Sequence, residues 1–84
     1  MKVQAYRDLI GQFVHQFQSL KSAATPAERL AEFERLSRCR TELEGANCPR
    51  ATPYDRKRAT EWILEASRYV LEAPDLTIVG WMTR

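Results

Sequence analysis

Residue types that commonly carry out nucleophilic or acid–base chemistry are few in this chain. It has one histidine, His15, and two cysteines, Cys39 and Cys48. No serine or cysteine accompanies His15 in a pattern expected of an activated nucleophile. His15 also falls opposite the apolar stripe of the first predicted helix, which directs the imidazole into solvent. The sequence therefore predicts no catalytic residue, and we expect a protein that is not an enzyme.

Metal and phosphate binding also lack their usual residue patterns. A structural zinc site needs four closely grouped ligands, whereas this chain has Cys39, Cys48 and one distant histidine. The three glycines, Gly11, Gly45 and Gly80, are too far apart to form a phosphate-binding loop. Many acidic residues lie four positions from an arginine, a spacing typical of exposed ion pairs rather than of a catalytic pair. We therefore expect no metal and no cofactor.

The two cysteines are interpreted through the compartment in which the protein works. The sequence has neither an apolar secretory signal nor an apolar run of about 18–20 residues, so we expect a cytoplasmic protein with reduced thiols. Cys39 is then a core-edge residue and Cys48 a loop thiol. A secreted chain whose signal had been removed is the alternative, with a 39–48 disulfide. Ten arginines against three lysines, with ten alanines, indicate a GC-rich genome of bacterial or phage type.

A short basic cluster is the one concentration of charge that suggests a ligand. Arg50, Arg56, Lys57 and Arg58 give residues 50–58 a charge of +3, because Asp55 offsets one of the four cations. Cations at the start of a helix oppose its dipole, so the cluster is mildly disfavoured unless an anion lies near it. Three interpretations stay open: a solvated surface, a contact with an acidic protein partner, or a contact with nucleic acid.

The first 20 residues carry the strongest structural pattern in the chain. Apolar side chains recur at spacings of three and four, which predicts an amphipathic helix over residues 2–21 that packs along its whole length. The residues of this seam are Val3, Tyr6, Ile10, Phe13, Phe17 and Leu20, with Leu9 and Val14 widening it. The seam has more apolar residues than two short helices readily cover, which favours a homodimer.

Two further helices begin at nearly identical signals. Thr25-Pro26 and Thr52-Pro53 each combine an N-cap threonine with a proline at the first helical position, and an acid follows two residues later. These signals predict helices over residues 26–44 and 53–73. We expect Gly45 to end the second helix in a left-handed conformation and Pro74 to stop the third.

The second and third helices differ in how many apolar sides they have. The second has one, formed by Leu30, Phe33, Leu36 and Leu43 with Cys39 at its edge. The third has two. Its main side consists of Ala59, Trp62, Ala66, Tyr69, Val70 and Ala73, and Leu64 and Leu71 lie roughly opposite. A helix with two apolar sides needs two packing partners, so another segment must cover these leucines.

The tail, residues 74–84, is the segment that we expect to meet those leucines or a partner. Its apolar residues are Leu76, Ile78, Val79, Trp81 and Met82. Two roles stay open for it. It folds back over Leu64 and Leu71 to complete the core, or it is an exposed anchor for a partner or a second subunit.

Together these patterns predict one all-α domain over residues 1–84, a three-helix bundle with an apolar C-terminal tail. We expect a homodimer, formed through the first helix or through the third helix and the tail. The favoured function is a small non-enzymatic regulator or inhibitor that binds another protein. A nucleic-acid-binding transcriptional regulator that uses the basic 50–58 cluster is the alternative, and a structural or assembly subunit is a third possibility.

Overall fold

The three predicted helices are present, and a short fourth helix follows them. The computed structural model describes residues 1–77. Its elements are α1 (Val3–Ser22), α2 (Pro26–Gly45), α3 (Pro53–Glu72) and α4 (Pro74–Thr77). No strand occurs in this described range. The all-α bundle is therefore confirmed, with each long helix within one residue of its expected bounds.

Both threonine caps form as their sequences predicted. The Thr52 hydroxyl accepts a hydrogen bond from the Asp55 amide at 3.2 Å, and the Asp55 carboxylate accepts one from the Thr52 amide at 3.2 Å. At α2 the Thr25 hydroxyl likewise accepts from the Glu28 amide at 3.2 Å. The Glu28 carboxylate reaches Ala24 instead of the cap residue. α3 therefore has the complete capping box and α2 a shifted form of it.

The end of α2 differs from the prediction. Gly45 stays in the helix, and no positive φ occurs there, so the expected left-handed ending is wrong. Ala46 ends the helix in extended backbone, with φ −69° and ψ 129°, and its amide bonds to the Leu43 carbonyl. Ala23 and Ala73 end α1 and α3 in the same way. A bond to the third preceding carbonyl tightens the last turn and satisfies an end carbonyl without a left-handed residue.

The long helices run up, down and up. α1 and α2 pack most extensively, as antiparallel neighbours. α3 runs parallel to α1, because Arg7 contacts Asp55 near the helix starts and Phe17 contacts Tyr69 near their ends. The four-residue α4 packs on both α3 and α2.

The α1 seam lies at the centre of the core. Five of its six residues, Tyr6, Ile10, Phe13, Phe17 and Leu20, are at most 7% exposed, and Val3 packs at the edge. They share one cluster with buried residues of α2 and α3, so the seam is covered within a single chain. The excess of apolar residues in α1 is thus no reason to expect a homodimer through that helix.

Two residues differ from the prediction in whether they are buried or exposed. Leu30 is 41% exposed, because it lies six positions from Leu36 and thus about 120° around α2. Cys48, expected as a loop thiol, is 2% exposed and belongs to the core. Cys39 lies at the core edge as predicted, and burial raises the pKa of its thiol. Both cysteines are free thiols, so the 39–48 disulfide of the alternative interpretation does not form here.

Candidate docking surface on the third helix

α3 has a packed inner side and an apolar outer side. Ala59, Ala66 and Val70 are at most 5% exposed and contact the core. On the outer side, Leu64 is 49% exposed and Leu71 is 57% exposed. Seven residues separate the two leucines, so they lie on one line along the helix, about 10.5 Å apart. The two-sided pattern of this helix is as the sequence predicted.

Charged side chains border this line of leucines on one edge. Glu61 and Arg68 are also seven residues apart, and each is within four residues of Leu64. Their partners in the same helix are distant: Lys57 Nζ is 3.8 Å from Glu61 Oε1, and Arg68 Nη1 is 3.9 Å from Glu65 Oε2. Such exposed pairs contribute little to stability. We call Leu64, Leu71, Glu61 and Arg68 the outer α3 face.

The first apolar residue of the tail belongs to the core. Leu76 is 1% exposed and belongs to the core. Leu64 and Leu71 remain about half exposed, so Leu76 does not give the predicted cover over these two leucines. The other predicted partner-binding residues of the tail, Ile78, Val79, Trp81 and Met82, lie outside the described residues.

A polar clamp holds α4 against the upper end of the bundle. Arg29 Nε donates to Asp75 Oδ2 at 2.7 Å, and Arg29 Nη1 donates to the Tyr69 hydroxyl at 2.9 Å. These hydrogen bonds join α2, α3 and α4 and keep Leu76 in place. The hydrogen bonds from Arg29 also hold the pKa of Asp75 below its ordinary value. The clamp fixes the end of α3 that carries Leu71.

A second clamp fixes the start of α3 and contains a buried carboxylate. Asp55 is 2% exposed, and it accepts hydrogen bonds from Arg7 Nε at 3.0 Å and from the Thr52 hydroxyl at 3.0 Å. The pKa of Asp55 is lowered, chiefly by the Arg7 hydrogen bond and further by the bonds from Thr52. Buried carboxylates are candidates for acid–base catalysis. This one is stabilised in its ionised form by donors on both oxygens, which favours a structural role.

Sequence reasoning missed the burial of Asp55. It classed the acidic residues as exposed partners of arginines and recognised Asp55 for its place in the capping box. The carboxylate and its partner Arg7 are 48 residues apart. No local spacing connects them, so the pair emerges only once α1 and α3 lie side by side.

The residues of the basic cluster do not converge on one patch. Arg56 Nη2 donates to the Cys48 carbonyl at 2.7 Å and so supports the α2–α3 loop. Lys57 extends toward Glu61, and Arg58 lines a groove against α1. Successive residues of a helix project about 100° apart, so these three side chains leave α3 in different directions. Arg50 is exposed in the preceding turn, and His15 is exposed on α1 as predicted.

A groove beside Arg58 lies between α1 and α3. It is open to solvent and has a volume of about 470 Å³. Its lining consists of Phe17, Lys21, Arg58, Glu61, Trp62 and Glu65. The Phe17 and Trp62 rings meet edge to face with centroids 6.4 Å apart, and Lys21 Nζ lies 4.9 Å from the Phe17 centroid. Two cations and two carboxylates share these walls, so the groove favours neither sign of charge.

Residues 1–77 have no group of three or more His, Cys, Asp or Glu side chains that could hold a metal ion. Nor is any helix of this range long and apolar enough to cross a membrane.

Compared with known protein families, curated proteins and solved structures, the chain gives no match.

Proposed function

We propose that this protein is a small non-enzymatic regulator that acts by docking its outer α3 face on another polypeptide. The observation that carries the proposal is the half-exposed state of Leu64 and Leu71 on a helix whose inner residues Ala59, Ala66 and Val70 pack in the core. Full burial of a leucine side chain stabilises by about 1.5–3 kcal/mol. A partner that covers both residues gains the free energy of burying the exposed part of these two side chains.

The shape of the face suits recognition of a helix or a shallow groove. Anchors at positions i and i+7 along one helix are a recurring mode of protein recognition. Glu61 and Arg68 border the leucines and supply charges of both signs, which select a partner with the complementary pattern. Apolar anchors inside a polar rim are also the usual anatomy of a binding site.

Two clamps hold α3 against the rest of the bundle. The Arg7–Asp55 pair fixes the first turn of α3, and the Arg29–Tyr69 hydrogen bond fixes its last turns. A face that is already ordered loses little conformational entropy on binding. We further propose a cytoplasmic location, with which two free thiols are consistent.

The alternative functions receive less support from the described residues. Nucleic-acid binding through residues 50–58 would need several cations on one surface, and Arg56 is engaged with the Cys48 carbonyl. A structural or assembly subunit would use the same outer α3 face as a regulator. The identity of the bound protein separates those two functions.

Capture from an extract of the native host tests the proposal. The double variant Leu64→Glu/Leu71→Glu should lose the captured protein, because each carboxylate replaces an apolar contact with a buried charge. Leu30→Glu is the matched control, since Leu30 is 41% exposed but lies on α2. Equal capture by the double variant and the wild type, with both folded by circular dichroism, would contradict the proposal.

A further inference from the structure

We propose that the outer α3 face pairs with the same face of a second copy, with the two α3 helices antiparallel. This inference rests on the proposed function and names one polypeptide that the face binds. Of the two homodimers expected from the sequence, it keeps the one through the third helix, because the α1 seam is buried within one chain.

The apolar residues of the face fit a twofold arrangement. Thr60 is exposed and extends the line of Leu64 and Leu71 by one turn, whereas Ser67 between the leucines is buried and donates to the Ile63 carbonyl. A twofold axis that crosses α3 midway between Thr60 and Leu71 brings the Leu64 side chains of both copies together. Each Leu71 then packs over Thr60 of the other copy, which is exposed in the single chain. The Leu64 contact lies on the axis, and the Leu71–Thr60 contact occurs twice, as a twofold interface requires.

Charge selects the antiparallel orientation. Glu61 and Arg68 lie on one edge of the face, and in antiparallel helices like edges lie side by side. With the axis described above, Glu61 of each copy lies about 3 Å along the helix from Arg68 of the other, given a rise of 1.5 Å per residue. In parallel helices the like edges would instead lie on opposite sides of the contact, so Glu61 and Arg68 of one copy would lie away from both charges of the other. The 3.8 Å and 3.9 Å pairs within the chain leave both side chains able to take the new partner.

The size of this interface predicts its strength. One pair of 20-residue helices, each about 30 Å long, buries less than the roughly 1,600 Å² of a standard interface. We therefore expect a weak dimer, in the micromolar to millimolar range. The dimer covers the face that would meet another protein, so dimerisation and capture of such a partner compete.

Charge reversal tests the dimer without disturbing the core. Sedimentation equilibrium of the full chain from about 10 µM to about 1 mM should show reversible self-association. Glu61→Arg and Arg68→Glu should each weaken it by at least about tenfold, because each sets like charges against each other twice. The double variant Glu61→Arg/Arg68→Glu should restore it. An equimolar mixture of the two single variants should also associate, since each supplies the charge that the other needs.

Three results would overturn this dimer. They are a wild type that is monomeric throughout, single variants that associate like the wild type, and a double variant that stays as weak as the single variants. Both side chains are more than half exposed, so the variants should keep the wild-type circular dichroism spectrum. A monomeric wild type whose partner capture is still lost in Leu64→Glu/Leu71→Glu overturns the dimer and leaves the proposed function standing.

Discussion

Arg7 of α1 and Asp55 of α3 are 48 residues apart in sequence and form an ion pair, with Nε 3.0 Å from Oδ1. The same carboxylate accepts the Thr52 amide and hydroxyl and so caps α3. One side chain therefore sets both where α3 begins and how it lies against α1. The outer α3 face depends on this ion pair, because α3 must be held against α1 on its inner side for Leu64 and Leu71 to face solvent.

Removal of Asp55 should destabilise the protein more than removal of its capping partner. Thr52→Ala loses an N-cap hydroxyl, a change that costs about 0.5–2 kcal/mol. Asp55→Ala loses the return bond of the capping box and also leaves Arg7 without its partner. Urea unfolding of Arg7→Ala, Asp55→Ala and the double variant should show coupling between the two sites. Strictly additive losses would mean that the pair contributes nothing to stability.

The lowered pKa values of Asp55 and Asp75 predict how stability depends on pH. In the folded chain the pKa of each carboxylate lies below the unfolded value of about 3.9. Their contribution is therefore fully present above about pH 4 and is lost as the pH falls through the lower folded values. Asp55→Asn should reduce the loss of melting temperature between about pH 5 and pH 2. An unchanged acid profile in that variant would contradict the pKa shift.

The core position of α1 predicts large losses at its aromatic residues. Phe13 is fully buried, and Phe17 packs edge to face on both Trp62 and Tyr69. Phe13→Ala or Phe17→Ala should each cost about 3–5 kcal/mol by denaturant unfolding. Gln12→Ala, on the exposed side of the same helix, should change stability by less than about 0.5 kcal/mol. Melting temperatures near the wild-type value in both phenylalanine variants would show that α1 is not the core helix.

The arrangement of the basic cluster predicts a structural effect rather than loss of nucleic-acid binding. Arg56→Ala removes the hydrogen bond to the Cys48 carbonyl and should cost about 1–2 kcal/mol. Wild-type protein should give no low-salt shift with duplex DNA, single-stranded DNA or RNA. A shift that weakens steeply with salt and disappears in Arg50→Ala/Lys57→Ala would favour the nucleic-acid alternative.

Local sequence signals were enough to predict the helices, because their causes are local. Thr52 and Asp55 are three residues apart, and the seam of α1 is a repeat within one helix. The burial of Cys48 and the exposure of Leu30 depend instead on where the α2–α3 loop and α2 pack. The role of Leu76 depends on the Arg29 clamp, which joins residues 46 apart. Hence the outer leucines of α3 were predicted from spacing, whereas the two clamps that support them were not.

Site-specific photocrosslinking tests the central claim, that the outer α3 face is where this protein binds another polypeptide. A photoreactive amino acid at position 64 or 71 should form an adduct with the bound chain, which mass spectrometry then identifies. The same group at position 30 should form none, although Leu30 is almost as exposed. Adducts at position 30 with none at 64 and 71, in a sample that still binds its partner, would contradict the account.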